Sequence, residues 1–192
     1  MEFKKLVKAR RSCRTFDASP VSEDQVAAIA DAGQWAPSPL NLQPWEFIII
    51  TESEIKAAIK EAAEDAKQKV LDNGGPAWAG QYDMAFLDEA PVYIAVVVNP
   101  SKAGLGGFFG QSYGAIQAVS ACIQNMLLAA ADMGLGSLWF TFFDPKEIQS
   151  ALNVPDDLEI AGILIIGKPK GEIKAIPRKE PKIHRQRYAK AQ

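Results

Sequence analysis

Three guanidinium groups and a hydroxyl fall within five consecutive residues at Arg10-Arg11-Ser12-Cys13-Arg14. A guanidinium is a rigid fork of N–H donors that keeps its charge, so such a set can hold a phosphate or lie against an electron-rich planar ring. Further along, Pro37-Ser38-Pro39-Leu40-Asn41-Leu42-Gln43-Pro44-Trp45 carries Ser38, Asn41 and Gln43 on a stretch stiffened by proline. Short polar side chains on a stiff loop can read the hydrogen-bonding edge of a ligand, so the composition is that of a binding loop.

The other candidates are weaker. Gly104-Leu105-Gly106-Gly107-Phe108-Phe109-Gly110 sits where a dinucleotide fingerprint would lie. G-x-G-x-x-G counted from Gly104 ends on Phe109, however, and no acid follows about 20 residues later to hold a ribose. A flexible loop is the better reading. His184 is the only histidine, which removes triads with a histidine base and most zinc sites, and no metal is expected. Cys13, between Arg11 and Arg14, could be a thiolate nucleophile, yet no base or resolving cysteine accompanies it, and a small packed side chain is the alternative. Acidic pairs lie mostly on helix faces, where solvation explains them.

The chain has 192 residues, 48% hydrophobic and 23% charged, which fits one globular domain and excludes disorder and fibrous architectures. Cys13 and Cys122 stand far apart without a C-x-x-C pair, and Met1-Glu2-Phe3-Lys4-Lys5 opens the chain without an apolar signal region. A reduced, cytoplasmic protein is expected. Charge is uneven. Residues 1–14 hold six Lys/Arg against one acid and residues 168–192 nine against two, which leaves the stretch between them at −14 within a net charge of −2. Basic ends on an acidic body can be nucleic-acid arms, membrane-surface anchors, two segments that meet to hold a small anion, or solvated tails.

The elements that must position these groups follow from periodicity and caps. Residues 3–11 read as a short helix. Ser22-x-x-Gln25 is a capping box opening a helix to Trp35, Trp45–Thr51 is a buried strand, and Thr51-x-x-Glu54 opens a helix to Leu71. Residues 76–89 read as a loop or lid. Pro91–Asn99 is a second strand, Gln111–Met133 a long helix uncharged until Asp132, Ser137–Phe142 a third strand, Asp144-Pro145 the start of a short helix, and Leu158–Gly167 a fourth strand. The long helix carries polar groups on almost every turn, against a membrane span, and is apolar enough to need burial on most sides; a subunit interface is expected. Strands and helices mix without a regular βαβ rhythm, so the class is α+β rather than doubly wound.

R-R-S-x-R followed by P-S-x-x-N-x-Q-P-W resembles the FMN-dependent nitroreductase family. The long helix with Gln124-Asn125-Met126-Leu127-Leu128, the turn Gly134-Leu135-Gly136-Ser137 and the ending Gly167-Lys168-Pro169 agree in order over nearly the whole chain. The resemblance implies a single nitroreductase-like domain over residues 1–192, with a central, mostly antiparallel sheet flanked by helices and the long helix at a homodimer interface. It implies a C-terminal arm, 168–192, extending over the partner. Two sites would bind FMN, each built from both chains. Arg10, Arg11, Ser12 and Arg14 would contact the phosphate and the pyrimidine edge of the ring, with Arg14 tuning it. Pro37, Ser38 and Asn41 would come from the other subunit. The backbone of Trp139, Phe140 and Thr141 would pass the ring, the Thr141 amide serving as the donor near N5, and Arg178, with Lys179, would reach the phosphate.

FMN would carry the chemistry, so no catalytic side chain is implied. The implied activity is ping-pong transfer of two electrons from NAD(P)H to a nitroaromatic, quinone or similar small oxidant. Dehalogenating, flavin-cleaving and azoline-oxidising enzymes share the fold, and a non-catalytic flavin-binding dimer is a further alternative. Neither nucleic acid nor membrane is an expected partner. Three departures stand out: no Lys in Gln81–Leu87, Ser112 where relatives often carry Asp, and a poorly matched stretch from Asp72 to Asp88 where substrate would be covered.

Overall fold

Val92–Val98 is buried at every one of its seven positions, so this run of β-branched residues needs cover on both faces. The computed structural model, which describes residues 2–173 and 175–188, supplies it. Lys174 and residues 189–192 of the expected arm lie outside the described residues. The elements are α1 (Phe3–Ala9), α2 (Glu23–Gln34), β1 (Trp45–Ile50), α3 (Ser53–Asp72), α4 (Phe86–Glu89), β2 (Val92–Val98), α5 (Gly114–Asp132), β3 (Gly136–Phe140), α6 (Pro145–Ala151) and β4 (Glu159–Gly167). Four strands form one antiparallel sheet in the order β1-β2-β4-β3. The α+β class and the antiparallel sheet flanked by helices are as expected.

Because side chains alternate across a strand, the two central strands feed two half-cores. Tyr93, Ala95, Val97, Ile163 and Ile165 pack with Ile59 and Ala63 of α3 and Ile148 of α6. Ile94, Val96, Val98, Leu164 and Ile166 pack with Ile29 of α2 and the buried face of α5. The register shifts between Val96 and Val97, opposite Gly162. Gly162 has φ 156°, and a Cβ there would lie 2.2 Å from Trp139 Nε1, so the bulge makes room for the indole.

The Ser22 capping box forms: Ser22 Oγ accepts from the Gln25 amide at 3.2 Å, and Gln25 Oε1 accepts from the Ser22 amide at 3.0 Å. Asp144 caps α6 by accepting from the Lys146 amide at 3.0 Å. Thr51 does not cap α3. The chain stays extended past β1, and α3 starts at Ser53 behind Glu52, which makes no side-chain cap bond. β3 ends at Phe140 rather than Phe142. Residues 104–109 form a 3₁₀ helix closed by Gly110 at φ 69°, where an unstructured loop was expected. The 76–89 segment is only partly loop. Met84, Phe86 and Leu87 are buried, and α4 anchors its C-terminal end.

α5 buries Ala115, Ala118, Val119, Cys122, Ile123, Met126, Leu127 and Ala130, the spacing of one helical stripe. Gly33 lets α2 approach it; a Cβ there would lie 2.9 Å from Cys122 Sγ. By length and composition alone α5 could cross a membrane, but this stripe packs on α2 and the sheet. Its opposite side, with Ile116, Gln117 and Gln124, is exposed.

Candidate functional site

The arginine segment runs beside the free edge of β3. Ser12 bridges Ser137 in parallel, and the Cys13 amide donates to Ser137 O at 2.9 Å. Two residues later the same segment meets the start of the C-terminal basic stretch. Lys170 N donates to Thr15 O at 3.1 Å, Asp17 N to Lys168 O at 3.0 Å, and Phe16 bridges Pro169. The backbone therefore joins the two basic ends into one seam. Extended pairing makes side chains alternate, which puts Arg10, Ser12 and Arg14 on one side and Cys13 on the other. Cys13 is wholly buried against Gly136, where a Cβ would come within 2.7 Å of its Sγ. Burial pushes its thiol up; Glu89 adds to the shift, while a backbone hydrogen bond at Thr15 and the charge of Arg14 oppose it. The packed reading of Cys13 is thus the one the geometry supports.

On the α5 side of β3 lies a cavity of 460 Å³ lined by Arg10, Ser12, Gln124, Leu127, Trp139 and Thr141. Its charge is lopsided. Burial holds the Arg10 guanidinium below its usual value, and the neighbouring charges of Arg11 and Arg178 push the same way. Arg11 donates from Nη1 to the Arg10 carbonyl at 2.8 Å, and its Nε is buried with no hydrogen-bond partner. Among the described residues no carboxylate pairs with these three guanidiniums. An unpartnered buried donor beside uncompensated positive charge costs free energy unless an anion arrives, so the residues fit a phosphate.

Pro37, Ser38 and Pro39 line a second recess, of 240 Å³, with Gly114, Gln117, Ala118 and Ala121. Leu40, Asn41 and Gln43 all have positive φ, at 50°, 54° and 44°, a conformation that is costly for residues other than glycine and clusters at ligand sites. The loop is braced from within. Ser38 Oγ accepts from the Gln43 amide at 3.0 Å, and Asn41 Oδ1 accepts from Gln43 Nε2 at 3.2 Å. These bonds use the acceptors of Ser38 and Asn41 and leave the Ser38 O–H and the Asn41 amide N–H groups to donate. The recess lies nearer the start of α5 and the main cavity nearer its end, their α5 residues centred about 12 Å apart at 1.5 Å per residue.

One chain thus brings Arg10, Ser12, Trp139 and Thr141 together, with Arg11 and Arg178 beside them, but not Pro37, Ser38 and Asn41. Arg14 is exposed at the far end of the row, donating from Nε to Tyr82 Oη at 3.4 Å. The Phe140 side chain points into the core against Phe86, 5.5 Å between ring centres, so only its backbone can face a ligand. Lys179 is exposed. His184 is an exposed tail residue stacked on Tyr188. Sequence reasoning missed Gln124 and Leu127 as cavity walls and Gly114 and Gln117 in the recess. The available signal was a pair of glutamines two turns apart, Gln117 and Gln124, on a helix uncharged until Asp132.

The sequence profile of the Nitroreductase family matches residues 7–168. Iodotyrosine deiodinase of Thermotoga neapolitana is 28% identical over 183 residues, 91% of this chain and 92% of that protein. NADH dehydrogenase of Thermus thermophilus is 27% identical over 182 residues, 85% of this chain and 84% of that protein. Among solved structures, oxidized iodotyrosine deiodinase bound to FMN and 3-iodo-L-tyrosine superposes with a TM-score of 0.84 at 24% identity, covering 96% of this chain and 99% of that one.

Proposed function

The chain belongs to the nitroreductase family, and from that premise we propose that it is a cytoplasmic, FMN-dependent oxidoreductase that works as a homodimer and passes two electrons from NAD(P)H to a small oxidant such as a nitroaromatic or quinone. The observation that carries this reading is the cavity beside β3, with Arg10 on its wall, Arg11 and Arg178 adjoining, and no acid among the described residues to neutralise them.

FMN, when bound, supplies the electron chemistry: it accepts a pair of electrons from a nicotinamide and yields them to an oxidant. The protein's work is positioning. Arg10, Arg11, Ser12 and Arg178 hold the phosphate, with Lys179 adding charge nearby. Arg14 would present its positive charge to the pyrimidine edge, where a preoriented charge would offset the negative charge of reduction. The Trp139–Thr141 stretch lines the cavity and would hold the ring, with the Thr141 amide as the donor offered to it. A single cavity admits donor and oxidant in turn, which is ping-pong behaviour.

The dimer accounts for what one chain leaves unfinished. Ile116 on the uncovered side of α5, Trp35 at 80% and Phe108 at 85% exposure are apolar side chains that a partner subunit would cover. Apposing two α5 helices in opposite directions would bring the Pro37–Ser38–Asn41 recess of one protomer to the arginine cavity of the other. Residues 175–188, exposed throughout, then serve as the described part of the arm over the partner.

The test is the visible spectrum of the purified protein. Flavin bands, released by heat and identified as the mononucleotide, with turnover of a nitroaromatic by NADH or NADPH and a dimer by sedimentation, are expected. A protein that stays colourless after incubation with FMN overturns the reading. The match to a deiodinase over 92% of that protein's length favours one second reading, reductive dehalogenation of a halogenated tyrosine. Iodide release from 3-iodo-L-tyrosine under reducing conditions distinguishes it.

A further inference from the structure

Three aromatic side chains gather beside the end of β3. Trp78 lies 6.3 Å from Tyr82 and 6.0 Å from Phe142, and Tyr82 lies 5.7 Å from Phe142, all edge-on or tilted. The group is tied to the arginine cavity at two points. Phe142 directly follows Thr141 of the cavity wall, and Arg14, last of the Arg10–Ser12–Arg14 row, sits 6.0 Å from the centre of the Tyr82 ring. Its inner side continues into the core through Phe86, 6.3 Å from Tyr82. Its outer side does not: Trp78 is 58% exposed. A large ring held by other rings yet left largely in water stabilises the fold little, and it offers a flat apolar face to a flat ligand.

The Tyr82 hydroxyl has one half of its hydrogen-bonding capacity in use. It accepts from Arg14 Nε at 3.4 Å, and among the described residues nothing accepts its own proton. A hydroxyl whose oxygen is engaged by a cation is a polarised donor, and such a donor favours ligands that carry an acceptor.

Resting on the functional reading above, we propose that Trp78, Tyr82 and Phe142 select the oxidant: a flat aromatic ring bearing an oxygen stacks on Trp78 and accepts a hydrogen bond from Tyr82, whose hydroxyl Arg14 holds in place. Trp78 and Tyr82 are then specificity-determining residues, one for flatness and the other for the ring oxygen. Phe142 is the backing that keeps both rings upright.

Trp78→Ala and Tyr82→Phe are compared with the parent as FMN-loaded proteins, FMN content being read from the visible spectrum. One measurement is the calorimetric Kd of 4-nitrophenol for the oxidised protein, where no turnover occurs. The other is kcat/KM for a naphthoquinone divided by kcat/KM for ferricyanide, which has no ring to stack. Each substitution is expected to weaken 4-nitrophenol by about three- to tenfold and to lower the ratio by a similar factor through KM, as the loss of one ring contact or one neutral hydrogen bond implies. Tyr82→Phe keeps the ring that packs on Phe86 and Phe142, so it carries the test even where Trp78→Ala destabilises the chain. Variants with the parent's FMN content, Kd and ratio overturn the proposal alone. A parent protein that binds no FMN overturns the functional reading and this proposal with it.

Discussion

The arginine row at residues 10–14 pairs with the start of β3 at Ser137, the aromatic group of Trp78, Tyr82 and Phe142 lies just past its end, and the two are held by different kinds of bond. The row is fixed through its backbone, by Cys13 N to Ser137 O at 2.9 Å, Lys170 N to Thr15 O at 3.1 Å and Asp17 N to Lys168 O at 3.0 Å. The aromatic group is fixed through side chains, by ring edges near 6 Å and one hydrogen bond of 3.4 Å. Backbone bonds survive most changes of side chain, whereas ring contacts vanish with the ring. A frame built this way can keep one end constant for a cofactor while the other end changes with the substrate. A deiodinase and an NADH dehydrogenase as relatives of one chain fit that division.

The sharpest way to break the comparison is Arg10→Ala. If the row is the cofactor end, losing a charged contact to phosphate should raise the FMN Kd by about ten- to a hundredfold, the equivalent of about 1.5–3 kcal/mol, read by fluorescence titration of the apoprotein. Unchanged affinity would remove Arg10 from the phosphate. The second test addresses the backbone seam itself. In Gly136→Ala the new Cβ falls 2.7 Å from Cys13 Sγ and 2.9 Å from Cys13 Cβ, so the segment must move off β3. A loss of about 1–3 kcal/mol in unfolding free energy is expected, read as a lower urea midpoint. Gly107→Ala, where a Cβ meets nothing within 4 Å, is the matched control and should leave the midpoint close to the parent's.

Arg14 stands where the two ends meet and should behave as neither. Arg14→Ala is expected to slow reduction by NAD(P)H about tenfold, roughly 1.5 kcal/mol of lost charge stabilisation, while FMN affinity falls less than in Arg10→Ala. Stopped-flow reduction traces that match the parent's would leave Arg14 only its contact with Tyr82.

Most of the frame was legible before any coordinates, because the signals are local. The uninterrupted apolar run of β2, the Ser22–Gln25 box and the Asp144-Pro145 start each specify an element through residues next to one another. Thr51 misled because its type suits a cap, while the chain at that point is still leaving an edge strand. The arginine row was legible as charge density, and its tie to residues 168–170 was foreshadowed by the two basic ends. The cavity was not. Gln124 and Leu127 become its wall only because α5 crosses beside β3, a tertiary fact that no spacing encodes. The left-handed Leu40 was equally hidden, since nothing in a leucine asks for positive φ; the loop imposes it.

The smallest effect separates the seam from the helical core through their two thiols. Burial alone pushes Cys122, between α2 and α5, up to about 12. Cys13 is also raised, by burial first, but with a backbone hydrogen bond at Thr15 and the charge of Arg14 pulling against it. The folded chain therefore keeps a proton on Cys122 that the unfolded chain releases above about pH 9. Stability from this group is complete below that pH and is lost as the pH climbs toward 12, by at most about 1.4 kcal/mol per pH unit. Between pH 8 and pH 10 the urea-derived stability of the parent should fall by about 1 kcal/mol on this account. Cys122→Ala should start lower, because it opens a cavity against Met126 and Gly33, and then lose less stability over the same interval. Cys13→Ala should keep more of the parent's slope, since its thiol is the less strongly held of the two. Parallel slopes in the parent and Cys122→Ala would mean that the core thiol ionises within the fold, and that the α2–α5 contact is open to water where the seam is not.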